Sequence, residues 1–267
     1  MGDCSTSVRG ITPRGREADP SRVTNFPLGP EGSPIRRLIP ALVLLLLVFL
    51  VAGPAEGGHT SATGCGAKEF SYAGLEADTK AHGVSARLST TAAPSVIDGH
   101  VGGWIGVGGV QAGPGGAAEW LQTGYAAFTS DNTSEIYYEV TTAGSQPRYT
   151  RLAAGVGDGV THKFAVLEMA RRPSWWRVWL DGKPVSPPIH LPGSHGRWYP
   201  QAVAENWNGG TGACNTFGYR FADVALATQD GGVWRPFEAS YTYQDPGYRV
   251  VPISSTPRSF VAASLVA

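Results

Sequence analysis

The chain reads as an all-β protein: a two-sheet antiparallel β-sandwich, preceded by a disordered leader and one hydrophobic helix. Three observations predict this. Short runs rich in β-branched and aromatic residues recur between Gly, Pro, Asn and Asp clusters through the body of the chain. No twelve-residue window beyond Gly58 carries a helical apolar stripe. Finally, 36 Gly, 8 Trp and 10 Tyr among 267 residues, with only 16% charged, exclude a helical bundle or a wholly disordered chain. The 21 basic and 21 acidic residues cancel, so the basic surplus that a nucleic-acid partner demands is missing.

Residues 1–35 are polar, broken by Pro20, Pro27, Pro30 and Pro34, and without periodicity, which predicts a disordered leader. Residues 36–55 follow as Arg36-Arg37, an apolar run from Leu38 to Ala52, and the small residues Gly53 and Ala55. That order predicts a signal peptide cleaved after Ala55, or an uncleaved membrane anchor. Residues 1–55 hold six Arg against four acids, while the remainder carries 15 basic and 17 acidic residues. A positive leader before a slightly acidic body is the polarity of an exported protein, secreted or extracytoplasmic. Membrane contact is expected only through 36–55, and only if that segment is uncleaved.

Residues 56–94 read as a linker followed by N-terminal strands, and 95–243 as the sandwich domain. Its strands are expected at Gly103–Val107, Glu119–Phe128, Glu135–Thr141, His162–Met169, Trp175–Leu180, Gln201–Trp207, Phe217–Ala227 and Val233–Tyr243. Asp181-Gly182 directly after Trp175–Leu180 is a hairpin signal, because both central residues of a tight primed turn need positive φ. Residues 244–267 read as a C-terminal tail.

Alternation decides which side chains share a face. Trp120, Gln122 and Gly124 face one way; Leu121, Thr123 and Tyr125 the other. Val203, Glu205 and Trp207 share a face, as do Tyr137 and Glu139, and Trp175, Arg177 and Trp179. Several strands thus carry a polar or aromatic residue where a core strand would carry Val or Ile. A solvated outer face or a ligand groove both fit such a pattern.

Cys4 lies in the leader. In an oxidising compartment Cys65 and Cys214 most simply form one disulfide; two buried free thiols are the alternative. His190 and His195, four apart in a Pro/Gly loop, fix no coordination geometry and have no third ligand in sequence, so no metal site is expected. His162 with Asp158 or Glu168 suggests acid/base work, or an ordinary edge-strand histidine. Trp175 and Trp179 could stack on sugar rings, or belong to a core.

The stretch His100–Phe128 contains Trp104-Ile105-Gly106-Val107-Gly108-Gly109 and then Leu121-Gln122-Thr123-Gly124. It resembles the start of the catalytic domain of the glutamic endopeptidases, or eqolisins, with their W-[IV]-G-[IV]-x-G and L-Q-T-G segments. Tyr137-Tyr138-Glu139 is similar to that family's aromatic-aromatic-Glu strand, and Ala204-Glu205 to its A-E-W strand. The resemblance spans roughly residues 95–230 and implies a concanavalin A-like, jelly-roll sandwich. It implies a catalytic pair, Gln122 and Glu205. The Glu would be general base toward water and then acid toward the leaving amine, with the Gln amide donating to the oxyanion. Trp104, Glu139, Tyr137 and Trp120 would contact substrate. The substrate implied is a polypeptide, and no cofactor is implied.

The chain departs from that pattern at Gly108, where an acid is expected, at Ala126-Ala127, and at Asn206, which displaces the tryptophan to Trp207. Fewer carboxyls suit an optimum nearer neutrality, an altered specificity or a lost activity. A non-catalytic peptide- or carbohydrate-binding module is the alternative, because one sandwich can host either.

Overall fold

The computed structural model describes residues 69–129, 133–209, 214–253 and 258–265. The leader 1–35, the apolar segment 36–55 and Cys65 lie outside the described residues, and with them the expected helix, signal or anchor. Among the described residues, strands numbered in chain order form two antiparallel sheets. The first runs β14 (Ala239–Gln244), β1 (Phe70–Ala77), β11 (Gln201–Trp207), β3 (His100–Gly109), β4 (Glu119–Phe128), β5 (Ser134–Thr141), β6 (Arg148–Val156). The second runs β10 (Ile189–His190), β8 (Trp175–Leu180), β7 (His162–Glu168), β2 (Gly83–Thr90), β12 (Gly218–Ala227), β16 (Phe260–Ser264), β15 (Tyr248–Pro252). Two short strands, β9 (Lys183–Pro184) and β13 (Trp234–Pro236), pair with β8 and β12. The one helical element among the described residues is a 3₁₀ turn at Pro114–Gly116. The chain is an all-β, two-sheet antiparallel sandwich.

Local chemistry explains the joints. Asp181 (φ 48°) and Gly182 (φ 78°) both adopt positive φ, the requirement of a primed hairpin turn, and Leu180 pairs with Lys183 across it. The core lies between the sheets, where each strand delivers alternate residues. From β4 come Leu121 and Tyr125, from β11 Ala202 and Ala204, and from β8 Trp176 and Val178. Phe221 and Phe260 stack with centroids 4.7 Å apart, and Trp176 lies parallel to Trp198 at 5.9 Å. Gly103 faces this core. A Cβ there would sit 2.3 Å from the Tyr219 ring, so only glycine lets β3 come this close to the opposite sheet.

The sandwich extends past 95–243 on both sides. β1 and β2 pair with the central strands β11 and β12, so 70–90 is integral sheet. The C-terminal tail is sheet as well: β16 pairs with β12, and buries Phe260, Ala262 and Ser264. Small residues hid that strand, because Ala and Ser at alternate positions carry no hydrophobic signal. The run Val233–Tyr243 is two strands, not one. β13 joins β12 in the second sheet and β14 joins β1 in the first, with buried Phe237 between them as the chain crosses over. β6 carries Arg148, Tyr149, Thr150 and Arg151 at an edge, where solvent removes the apolar alternation that would announce a strand.

Candidate active site

The outward face of the first sheet gathers all six of Trp104, Trp120, Gln122, Tyr137, Glu139 and Glu205. Antiparallel register places them. Glu205 on β11 stands opposite Tyr72 on one side and Gly102 on the other. Gln122 on β4 stands opposite Gly106 and Glu139. Trp104 lies opposite Val203 and Gly124, and Gly124 opposite Tyr137. Gln122 and Glu205 therefore share a face, separated by β3 and offset by four residues along it. That offset is about 13 Å of strand. The diagonal between them crosses β3 at Trp104, whose cross-strand neighbour on β4 is Gly124, which has no side chain.

These side chains are mostly held, not loose. The Trp120 indole Nε1–H donates to Glu139 Oε1 at 3.0 Å. The Gln122 amide donates to the Tyr137 hydroxyl at 3.2 Å, a contact long enough to be exchanged for a better acceptor. Tyr137 is stacked on Tyr149 at 4.8 Å, and the Tyr149 hydroxyl donates to Glu135. Glu205 Oε1 lies 3.6 Å from His100 Nε2. Trp104, Ala126, Tyr137 and Val203 form a second, smaller apolar cluster beneath the polar groups.

Burial pushes the Glu139 carboxyl up to about 7; the negative charge of Glu205 adds to this, while the Trp120 donor and His100 work against it. The Tyr137 hydroxyl is held well above its ordinary value, by burial first and then by Glu205 and Glu139. The phenol thus keeps its proton throughout the neutral range, while the carboxyl exchanges its proton near pH 7. Chemically the patch combines a fixed amide donor, a carboxyl that keeps its proton to about pH 7 and a second carboxyl beside a histidine. That set can transfer protons and stabilise an oxyanion without a nucleophilic side chain.

Sequence reasoning passed over His100, Tyr72 and Tyr149. The signal for His100 was present, since residues 100, 102, 104 and 106 alternate onto one face. Tyr149 had none, because β6 itself was not legible. Asn206 turns inward, where it donates to the Tyr248 hydroxyl and accepts from Asn215 Nδ2 at 2.8 Å. Trp207 points outward against Phe70, with centroids 4.6 Å apart.

The remaining candidates separate. Trp175 is stacked on His190 at 4.8 Å and carries the Arg172 guanidinium over its ring at 4.5 Å, so it is not a bare platform for a sugar. His162 pairs with Asp181 at 2.6 Å, not with Asp158 or Glu168. The third group that sequence did not place beside the loop histidines comes from the tertiary structure. His195 parts from His190 and meets Glu168 and His82, a group of three whose donor atoms lie within 4.8 Å of one another. Cys214 is half-buried and its expected partner Cys65 lies outside the described residues.

No family model and no curated protein matches the chain. Among solved structures, scytalido-glutamic peptidase with a peptide-based transition state analogue is similar at 16% identity and TM-score 0.48. The match covers 74% of this chain and 99% of that one. SCP-B, a member of the eqolisin family of peptidases in complex with the tripeptide Ala-Ile-His, is similar at 17% identity and TM-score 0.46, over 75% and 99% of the two chains. The marine PL7 alginate lyase AlyA1 from Zobellia galactanivorans is similar at 8% identity and TM-score 0.32, over 72% and 62%.

Proposed function

We propose that this chain is an exported glutamic-endopeptidase-like hydrolase whose substrate is a polypeptide. One observation carries the reading: an amide and two carboxyls, Gln122, Glu139 and Glu205, lie on a single sheet face walled by Trp104, Trp120 and Tyr137. The L-Q-T-G segment and the Ala204-Glu205 strand support the same assignment. A peptide lying across β3 and β4, over Trp104 and its neighbour Gly124, presents its scissile carbonyl between Gln122 and Glu205. Glu205 takes a proton from water as that water attacks the carbonyl carbon. Gln122 gives up the Tyr137 hydroxyl and donates to the developing oxyanion. Glu205 then returns the proton to the leaving amine, so no covalent intermediate forms.

Glu139, opposite Gln122, supplies a protonated carboxyl below about pH 7. It limits the negative charge facing the oxyanion and offers a hydrogen-bond donor to the substrate backbone. The experiment is cleavage of an unfolded protein between pH 3 and pH 8 by wild type, Gln122→Ala and Glu205→Gln, with peptide binding measured alongside. Each variant should lose at least about 10²-fold in rate while still binding peptide. Activity surviving in both sinks the reading. Peptide binding without turnover in wild type would favour a non-catalytic peptide-binding module instead.

A further inference from the structure

Three side chains distant in sequence converge at one end of the second sheet. His82 immediately precedes β2, Glu168 ends β7, and His195 lies in the loop between β10 and β11. The Glu168 side chain is completely buried, and its two oxygens are engaged separately. Oε2 lies 2.7 Å from His82 Nδ1, and Oε1 lies 2.9 Å from His195 Nδ1. Oε1 also accepts the Ser174 backbone N–H at 2.5 Å, and the two imidazole centroids are 5.0 Å apart.

The backbone makes this convergence rigid. The Glu168 N–H donates to the His82 carbonyl at 2.8 Å, and Gly231 N–H donates to the Glu168 carbonyl at 2.9 Å. Ala81 bridges to Trp198, which ties the residue before His82 to the far end of the loop that carries His195. Gly196 packs directly on the His82 ring: a Cβ there would sit 2.8 Å from Cε1. Two segments and a strand end are therefore locked before any ligand arrives, and the same atom type, Nδ1, is presented by both rings.

We propose that His82, Glu168 and His195 form a binding site for one divalent transition-metal ion, with Zn²⁺ best matched to the donors. Two imidazole nitrogens and one carboxylate oxygen are a donor set that zinc accepts at ~2.0–2.2 Å. In a tetrahedral arrangement such bonds set donors roughly 3.3–3.5 Å apart. To reach this spacing the two imidazole–carboxylate contacts open by about half an ångström, and the donor atoms, now within 4.8 Å of one another, draw around the ion, a movement available to His195, whose side chain is 49% exposed. The three protein ligands leave the fourth position to solvent on the His195 side. The Ser174 N–H donates to the carboxylate from behind and fixes its orientation toward the ion. The ion would staple the loop that feeds β11 to the ends of β2 and β7. This site belongs to the second sheet, apart from the Gln122–Glu205 face on the first, and it stands whether or not that face is catalytic.

The test uses the untagged full chain, stripped with a chelator and dialysed, then titrated with Zn²⁺ by calorimetry. Bound metal is counted by mass spectrometry, and melting is followed with and without zinc. One Zn²⁺ per chain is expected, with a zinc-dependent rise in Tm. His195→Ala, at a half-exposed position the fold tolerates, should weaken binding by at least about tenfold and abolish the Tm rise. His82→Ala should do the same. His190→Ala, in the same loop but stacked on Trp175, should change neither. Wild type that binds no stoichiometric zinc, or binding unchanged in His195→Ala, overturns the proposal and leaves the cluster as a hydrogen-bonded clamp on a buried carboxylate.

Discussion

Gln122 and Glu139 stand directly opposite each other on β4 and β5, so the amide of one and a carboxyl raised to about 7 on the other share one patch of sheet. The pairing fixes which carboxyl neighbours the amide. Glu205 reaches the same patch only along a diagonal across β3. The two acids are thereby assigned different electrostatic surroundings on one face.

That difference predicts distinct pH behaviour. Deprotonation of Glu139 near pH 7 places a charge beside the developing oxyanion, so kcat/KM in wild type should fall above that pH. Glu139→Gln cannot ionise there. Its profile should lose the alkaline limb, with rates at pH 5 within about tenfold of wild type. An unchanged limb in Glu139→Gln would show that another group titrates.

Stability should also depend on pH through buried carboxyls. Glu119 is fully buried, and burial pushes its carboxyl up to about 7, with the Ala143 backbone pulling the other way. Glu139 behaves likewise. Both keep protons in the folded chain that the unfolded chain releases near its ordinary carboxylate value. The folded state is therefore favoured on the acid side, and should lose stability as pH rises from about 4.5 toward 7, by about 2–3 kcal/mol per group. Glu119→Gln should flatten this slope in a melting series, and a slope unchanged by the substitution would contradict the assignment.

Packing at Gly103 gives a structural prediction independent of function. Gly103→Ala drives a methyl into the Tyr219 ring and should cost about 1–3 kcal/mol or more in denaturant unfolding. Gly157→Ala is the control. A Cβ there meets nothing within 4 Å, so its effect should be neutral or slightly stabilising. Equal effects at the two positions would refute the close sheet-to-sheet approach.

Cys65 and Cys214 should be bridged in exported protein, and mass spectrometry of that material should begin near Glu56. Closing so long a loop contributes ~4–5 kcal/mol in the chain-entropy account. Thiol labelling of unreduced, denatured protein should modify neither cysteine. Labelling of both, or an intact leader on soluble material, would count against this pair of expectations.

Some of this was legible before any tertiary contact was known. Trp175–Leu180 and Gln201–Trp207 were readable to the residue, because strands buried on one face repeat every second side chain. Asp181-Gly182 announced its turn through backbone sterics alone. Alternation also put Gln122 and Gly124 on one side and Leu121 on the other. β15, β16 and the edge strand β6 stayed hidden: Ala and Ser in one case, and solvent exposure in the others, erase the apolar signature that marks a strand.

The sequence by itself determined the all-β class, most strand positions, the primed turn and which face each candidate side chain takes. All of these are consequences of a two-residue period and local φ/ψ limits, which act over a few positions. Tertiary structure alone decided that β3 lies between Glu205 and Gln122, and that Glu139 is the carboxyl opposite the amide. It alone brought His82 and His195 to Glu168, from 86 and 27 residues away. Those facts depend on strand order and loop path, which are set by how two whole sheets bury their apolar faces against each other. No short window of residues carries that information, because the free energy that selects the order is spread over the entire core.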